Sequence, residues 1–421
     1  MKIAVLGSGI IGTASAWWLA QAGHEVVVIE RASGPAQQTS RANGGQISVS
    51  YAEPWANPQT PMKLLRWLTR DDAPLRFRLT ADPSQWWWGA LFLRECLPAR
   101  AQRNLRAMVR LAEYSRRTLR EMRADLAIHY DHQQTGILTF YRQHADLQAA
   151  QRNADVMREI GIDRRMLSPD AMIALEPALA KARTHIVGGD YTQEDESGDC
   201  YQFTVALAQR AQDIGVDFRF NAQVSRLICH NAHVQAVEWI DAQGLYQTLR
   251  VDACVVALGS HTAQYVAPLG IACPVYPAKG YSATFRIKNA DAAPQVSLTD
   301  HANKVVYTRL GDTLRMAGTV ELTGWSRALN PTRCGAMTAM AQTLFPEGLD
   351  VDTVQFWSGL RPATPSNVPL IGRTRIGGLY LNTGHGSLGW TMGVGSGKSL
   401  ADLVCGRRPE PEFPFLGEDA R

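Results

Sequence analysis

Three groups of residues in this 421-residue chain have the types and spacing to do chemistry. The first is Gly7-Ser8-Gly9-Ile10-Ile11-Gly12, with Glu30 further on. In such a turn the first glycine permits a tight bend, the second lets backbone approach a pyrophosphate, and the third allows close helix–strand packing. A carboxylate about 20 residues later accepts ribose hydroxyls and disfavours a 2′-phosphate. The second group is GVGSGKS, Gly393 to Ser399, which ends as a P-loop ends. A P-loop also needs a glycine at 392, where Met392 stands. The alternative is that Gly384, Gly386, Gly389 and Gly393 pass close to a planar ring, while a helix after Gly395 aims its positive N-terminus at that ring. The third is Arg361 in GLRP, following an apolar strand. A planar guanidinium there suits a bidentate carboxylate, or else a structural ion pair. His385 is a structural histidine or a neighbour of the ring. No Ser-His-Asp or Cys-His set stands out. The seven cysteines are scattered without a C-x-x-C, which argues against a zinc site and a disulfide framework and fits a reducing compartment.

The glycine turn needs a strand before it and a helix after it. KIAVL (2–6) reads as a buried strand, Thr13 to Ala22 as a helix stopped by Gly23, and EVVVI (25–29) as a second strand. The same residues resemble a leader peptide, but cleavage after Ala22 would remove the whole phosphate turn. LYLNTGHG (379–386) reads as a strand ending in glycines and 396–405 as a helix, so the last segment returns to the first domain. There is no second fingerprint for a separate nicotinamide. A nucleotide stretched across both segments favours FAD over NAD. The middle of the chain gives helices at 84–97, 101–126, near 145–160, 199–212 and 331–344. Strands fall at 135–141, 187–193, 275–288, 304–309, 313–321 and 354–360, the later ones alternating as in an antiparallel sheet with one wet face. The expected fold class is α/β, a Rossmann-like FAD-binding domain with a second α+β substrate domain on an antiparallel sheet. The expected FAD domain is 1–80, 194–272 and 350–421; the substrate domain is 81–193 and 273–349.

Charge is uneven. Residues 94–123 hold nine arginines (94, 100, 103, 106, 110, 116, 117, 120 and 123) against three glutamates. A solvated helical face and contact with an anionic membrane both explain that run; nucleic acid is not expected, since no binding motif accompanies it. Trp86–Trp88 reads as packing or as a membrane-facing patch. No stretch is apolar and long enough to predict a spanning helix.

Several stretches together carry a family resemblance: LGSGIIGTASAWWLAQAGHEVVVIER (6–31), TSRANGGQISVSYAEPWANP (39–58), DESGDCYQFT (195–204), YPAKGYS (276–282), WSGLRPATP (357–365) and NTGHGSLGWTMGVGSGKSLADL (382–403). The chain resembles the glycine oxidase/D-amino acid oxidase group of flavoproteins, and within it the bacterial D-amino acid dehydrogenases. The resemblance implies FAD, oxidative deamination of D-amino acids as in D-alanine catabolism, and electrons passed to a quinone or other respiratory acceptor. The cysteine usage leads to the expectation of a cytoplasmic enzyme, and the basic run with Trp86–Trp88 to that of peripheral contact with the cytoplasmic face of the inner membrane. The resemblance makes Arg361 the carboxylate-binding residue, with Tyr51, Tyr281 and Tyr307 shaping the pocket. It assigns to the cofactor Gly7, Ser8, Gly9, Ile10, Ile11, Gly12, Glu30, Arg31, Ser40, Arg41, Asn43, Gly45, Gln46, Val224 and Gly259. Gly384, His385, Gly386, Leu388, Gly389, Trp390 and Thr391 complete that set. No metal is implied. Two positions depart from the family pattern: Gly44 where alanine is common, and Ser366-Asn367 where an acidic residue and glycine are common. Three rival functions stay open: an oxygen-using oxidase of glycine or another small amine, a flavin subunit of a glycine-to-cyanide complex, and a nucleotide-binding sensor module.

Overall fold

A computed structural model describes residues 1–62, 75–77, 80–159 and 161–417. The expected segments 1–80 and 350–421, and the helix expected near 145–160, each include positions outside these residues.

The Lys2–Leu6 strand is at the centre of a six-stranded sheet, paired in parallel with Glu25–Ile29 on one side and Ala253–Val256 on the other. Its continuous apolar run follows from that position, because both faces of a parallel strand are covered. Asp217–Arg219 extends one edge, and Leu379–Thr383 followed by antiparallel Leu370–Arg373 extends the other. The helices Ile10–Gln21, Pro98–Leu126, Cys200–Asp213 and Gly389–Val404 pack on one face in a single apolar core. An antiparallel sheet of Gln223–His230, His233–Ile240 and Tyr246–Arg250 covers the other face.

The sequence places the last helix after Gly395; it begins at Gly389. Gly393, Gly395 and Gly397 therefore lie inside the helix, and their role is contact with other helices. A Cβ on Gly393 would come within 3.0 Å of Ile10 Cγ1, one on Gly395 within 2.6 Å of Ser115 Cα, and one on Gly397 within 2.7 Å of the Ala14 carbonyl carbon. The run that resembles a phosphate loop is a set of flat faces on which two neighbouring helices rest.

The second sheet has nine strands. Its path runs Leu349–Ala363, Tyr276–Ile287, Thr313–Leu322, Val305–Leu310, Ser297–Asp300, Ile137–Tyr141, Gly188–Thr192 and Arg165–Leu167, with Leu75–Phe77 added beside Thr313–Leu322. It is mixed, since Ser297–Asp300 and Ile137–Tyr141 run parallel. The expected wet face is absent from its central strands: Tyr276–Ile287 is buried through most of its length. One face carries the core with Tyr281, Tyr307, Met316 and the Pro331–Leu344 helix; the other turns toward the first lobe. Two segments cross the expected boundaries. Leu349–Ala363 pairs with Tyr276–Ile287 and so belongs to the larger sheet. Pro98–Leu126 packs into the core of the smaller one.

The arginine run is mostly answered by carboxylates. Arg94 and Arg100 pair with Glu95, Arg110 with Glu412, Arg117 with Glu410, Arg120 and Arg123 with Glu196, and buried Arg116 with Glu113 and Glu194. The tryptophan run divides. Trp88 is buried and its Nε1 donates to Ala363 O (2.8 Å), whereas Trp86 and Trp87 are 53% and 47% exposed.

Candidate functional site

Gly7 adopts φ +96°, and a Cβ there would lie 2.8 Å from Ala257 O, so glycine is required to close the turn. A Cβ on Gly12 would overlap Gly7 O, which is the close helix–strand packing the third glycine permits. Glu30 Oε2 accepts from Ser8 N (2.8 Å) and Ser8 Oγ (3.0 Å), and Oε1 from Ala32 N (2.9 Å). Ser8 is thus held behind the wall of the site, and Glu30 is pinned with its carboxylate at the rim.

A cavity of about 1440 Å³ runs between the two sheets. Gly7, Gly9, Ile10, Ile11, Glu30 and Arg31 line one end, with Val224 and Gly259 beside them. Ser40, Asn43, Gly45 and Gln46 follow, then His385, Gly386, Leu388, Gly389, Trp390 and Thr391. Arg31 reaches His261 Nε2 (3.1 Å), and Val224 O accepts from Tyr265 OH (3.0 Å). The loop Gln46 to Ser50 is clamped by buried Asp195, which accepts from Ser48 Oγ (2.8 Å), Val49 N (3.0 Å) and Ser50 Oγ (2.5 Å). Gln46 Nε2 ties the loop to the larger sheet through Ser297 Oγ (3.0 Å) and Thr299 Oγ1 (3.2 Å). Both departures from the family pattern have local causes. A Cβ on Gly44 would come within 2.6 Å of Val306 Cγ2. Asn367 holds φ +63°, a conformation asparagine tolerates better than most residues, and its Oδ1 accepts from Trp55 N (2.8 Å).

Some expected cofactor residues lie off the wall. Arg41 turns to the surface, pairing with Gln37 and standing 5.8 Å from the Tyr201 ring. Gly12 and Gly384 act through backbone packing; a Cβ on Gly384 would meet Thr364 Cγ2 at 2.5 Å.

Arg361 projects from the cavity face of the larger sheet, opposite Ala278 and leaning across Gly280. Any Cβ on Gly280 would overlap the guanidinium. Nη1 donates to Thr319 O (2.9 Å). Among the described residues no carboxylate pairs with it. Burial pushes its pKa down to about 10, so it stays charged at neutral pH. The three tyrosines differ. Tyr51 lines the cavity and stays protonated, its pKa raised to about 12 chiefly by burial. Tyr281 pairs across the strands with Ser358, out of phase with Arg361, so its side chain leaves the strand on the face opposite to Arg361, although it still contributes to the cavity lining. Its hydroxyl donates to Glu321 Oε2 (2.6 Å), which Lys279 and Arg333 also pair with. Tyr307 lies wholly in the core behind the sheet, edge-on to Phe345 with centroids 5.6 Å apart. It does not reach the cavity, because the register sends Val306 there instead. Sequence reasoning gave no role to Gly280, Thr319 or Lys304; the glycine inside YPAKGYS was the one visible sign.

The family model "FAD dependent oxidoreductase" (DAO) matches residues 2–403. This chain belongs to that family. The D-amino acid dehydrogenase of Dechloromonas aromatica (strain RCB) is 51% identical over 99% of this chain and 100% of its own length. That of Paramagnetospirillum magneticum (strain ATCC 700264 / AMB-1) is 47% identical over 100% and 98%. The glycine oxidase structure from Bacillus cereus ATCC 14579 has a TM-score of 0.73 at 22% identity, covering 96% of this chain and 95% of that one; it is similar in fold.

The walls fit the cofactor of an FAD-dependent oxidoreductase. Two helices start at the cavity, Ile10–Gln21 at one end and Gly389–Val404 at the other, and neither N-cap residue supplies a side-chain cap. Helix N-termini of this kind attract negative charge. The first suits a pyrophosphate, though Ser40 Oγ accepts from Ile10 N (3.1 Å). The second suits the electron-rich end of the ring system. Between them, His385 is buried; Nε2 bonds Ser396 Oγ (2.9 Å), while Nδ1 has no partner among the described residues. Burial lowers its pKa to about 3, so the imidazole is neutral.

Proposed function

We propose that the protein catalyses the oxidative deamination of D-amino acids, converting a D-amino acid and water to a 2-oxo acid and ammonia, with electrons leaving to a quinone or another respiratory acceptor. The observation that carries the reading is Arg361: a charged, half-buried guanidinium without a carboxylate partner among the described residues, inside a cavity whose far end suits a dinucleotide. Bound FAD supplies the two-electron acceptor that oxidation at an amine-bearing carbon needs. The chain supplies binding and orientation. Arg361 takes the substrate carboxylate as a bidentate pair, and Gly280 and Thr319 O fix the plane of the fork. His385, neutral beside the ring end, adds no charge that would oppose a substrate cation. The nine-stranded sheet and the Asp195-clamped loop close the cavity on two sides, which limits water around the reacting carbon.

Turnover of a D-amino acid panel with an artificial dye, in air and without oxygen, tests the reading. Dye reduction without stoichiometric peroxide supports it. Peroxide formation matching substrate loss would point to an oxygen-using oxidase, and a purified protein without yellow absorbance to a sensor module.

Contact with the cytoplasmic face of the inner membrane belongs to the same proposal, on a changed footing. With its arginines largely paired, the run at 94–123 is a weak electrostatic anchor. The Pro83–Glu95 helix is the better one: Trp86, Trp87, Leu93 and the following Leu97 are each about half exposed. No described helix is long and apolar enough to cross a membrane.

A further inference from the structure

We infer that Lys304 is the anchor of a second anion subsite in this cavity, taking the side-chain carboxylate of an acidic D-amino acid while Arg361 holds the α-carboxylate. The inference rests on the proposed reaction and names a substrate class for it.

Lys304 ends the turn between Ser297–Asp300 and Val305–Leu310, and it lines the cavity. The turn is built to hold it there. Asp300 Oδ1 accepts from Ala302 N (3.1 Å) and Asn303 N (3.2 Å), and Oδ2 from Asn303 Nδ2 (2.8 Å) and Arg142 Nη2 (2.9 Å). Lys304 itself sits at φ +54°, a costly conformation for a side chain of this kind. Its ammonium has neither a hydrogen bond nor an ion pair among the described residues. The other charges at this end are committed. Arg164 pairs with Asp190 (2.8 Å) and Glu53 (2.9 Å), and Asn303 and Arg142 occupy Asp300. Asp146 stands 4.0 Å from His301 Nδ1. Burial lowers the lysine pKa, and Glu53, Asp146 and Asp300 oppose that shift. A partly buried cation left without a partner gains from an incoming anion.

The two cations line the same cavity. Lys304 O lies 2.6 Å from where a Cβ on Gly318 would stand, and the next residue, Thr319, provides the carbonyl that Arg361 Nη1 donates to. The base of Lys304 is therefore one strand away from the tip of Arg361, and neighbouring strands are about 4.8 Å apart. With its α-carboxylate on Arg361, a substrate whose side chain runs toward this strand brings a second carboxylate to the Lys304 end of the cavity. Side chains that carry no anion leave Lys304 unanswered.

The test uses the yellow holoenzyme and the change in flavin absorbance on binding unreactive acids. Glutarate should bind at least about tenfold tighter than butyrate, the size expected of one shielded charge pair. Lys304→Met should bring that ratio close to one, and Lys304→Arg should keep most of it. Lys304→Gln serves if the methionine variant loses its flavin. In turnover, the ratio of kcat/KM for D-glutamate to that for D-alanine should fall in the same variants. Equal binding of the two acids by the unmodified enzyme overturns the subsite, as does a ratio that the variants leave in place. Absent turnover of every D-amino acid by the unmodified enzyme would instead overturn the proposed reaction, and the binding ratio would still decide the role of Lys304.

Discussion

At the scale of single residues, the cavity depends on one arginine and one glycine. Arg361→Ala should keep the flavin, because Arg361 touches neither helix N-terminus. It should lower kcat/KM for D-amino acids by about thirtyfold or more, from the roughly 2–5 kcal/mol that truncating a buried charge partner costs. Near-normal kcat/KM in steady-state assays would take Arg361 out of the site. Gly280→Ala is a finer probe. Its Cβ would force the guanidinium off Thr319 O without removing the charge. KM should rise about tenfold with a smaller change in kcat, the signature of lost binding common to ground and transition state. Arg361 could be read from the sequence, because a cation next to an apolar run needs a reason, although the strand runs on past it to Ala363. Gly280 could not, because its role appears only when two antiparallel strands bring residues 280 and 361 together. Tyr307 misled for the same reason: a strand sends alternate residues to opposite faces, and a register off by one moves the hydroxyl from cavity to core.

At the scale of elements, legibility follows locality. The Lys2–Ile29 strand–helix–strand unit was readable because the order strand, glycine turn, helix, strand is complete within about 30 residues, and Gly12 acts on Gly7 five positions away, although Gly7 itself also meets Ala257. The Gly389–Val404 helix was misread because Gly393, Gly395 and Gly397 act on Ile10, Ser115 and Ala14, far off in sequence. Gly395→Ala should therefore be destabilising despite alanine's better helix propensity, by about 1–3 kcal/mol as overpacking typically costs. Thermal unfolding of the holoenzyme checks this; a rise in midpoint would mean that propensity outweighs packing. The Pro83–Glu95 helix allows a second test. Trp86→Ser with Trp87→Ser should reduce binding to lipid vesicles severalfold while dye-linked turnover continues, since neither side chain reaches the cavity. Tryptophans left half exposed on a helix suit a bilayer interface. Vesicle binding unchanged in that variant, measured by co-sedimentation, would return these residues to ordinary surface.

At the scale of the whole molecule, a buried charge cluster centred on Glu196 ties the Pro98–Leu126 helix to the two-stranded pair Gln46–Ile47 and Glu196–Ser197. Glu196 lies in a two-residue strand against Gln46–Ile47, 1% exposed, and receives Arg120, Arg123 (2.7 Å) and His132 (2.8 Å). Burial alone would raise its pKa; hydrogen bonds from His132, Arg123 and Arg120 outweigh that and bring it down to about 2. A carboxylate with a depressed folded pKa contributes stability that is present above its unfolded pKa, near 4.5, and lost as pH falls toward 2. The loss amounts to something on the order of 3 kcal/mol over that window. Glu196→Gln should be less stable than the parent at pH 7, because two arginines lose their counter-charge. The two proteins should converge as the pH drops from about 4.5 toward 2, where the parent carboxyl is half protonated, and below it. Denaturant unfolding of both proteins across that range measures the gap directly. A gap that stays constant with pH would mean that Glu196 acts through shape and hydrogen bonding alone. The same clamp region holds the loop from Gln46 to Ser50 through Asp195, so flavin release into solution should track the parent's acid transition and shift with the variant.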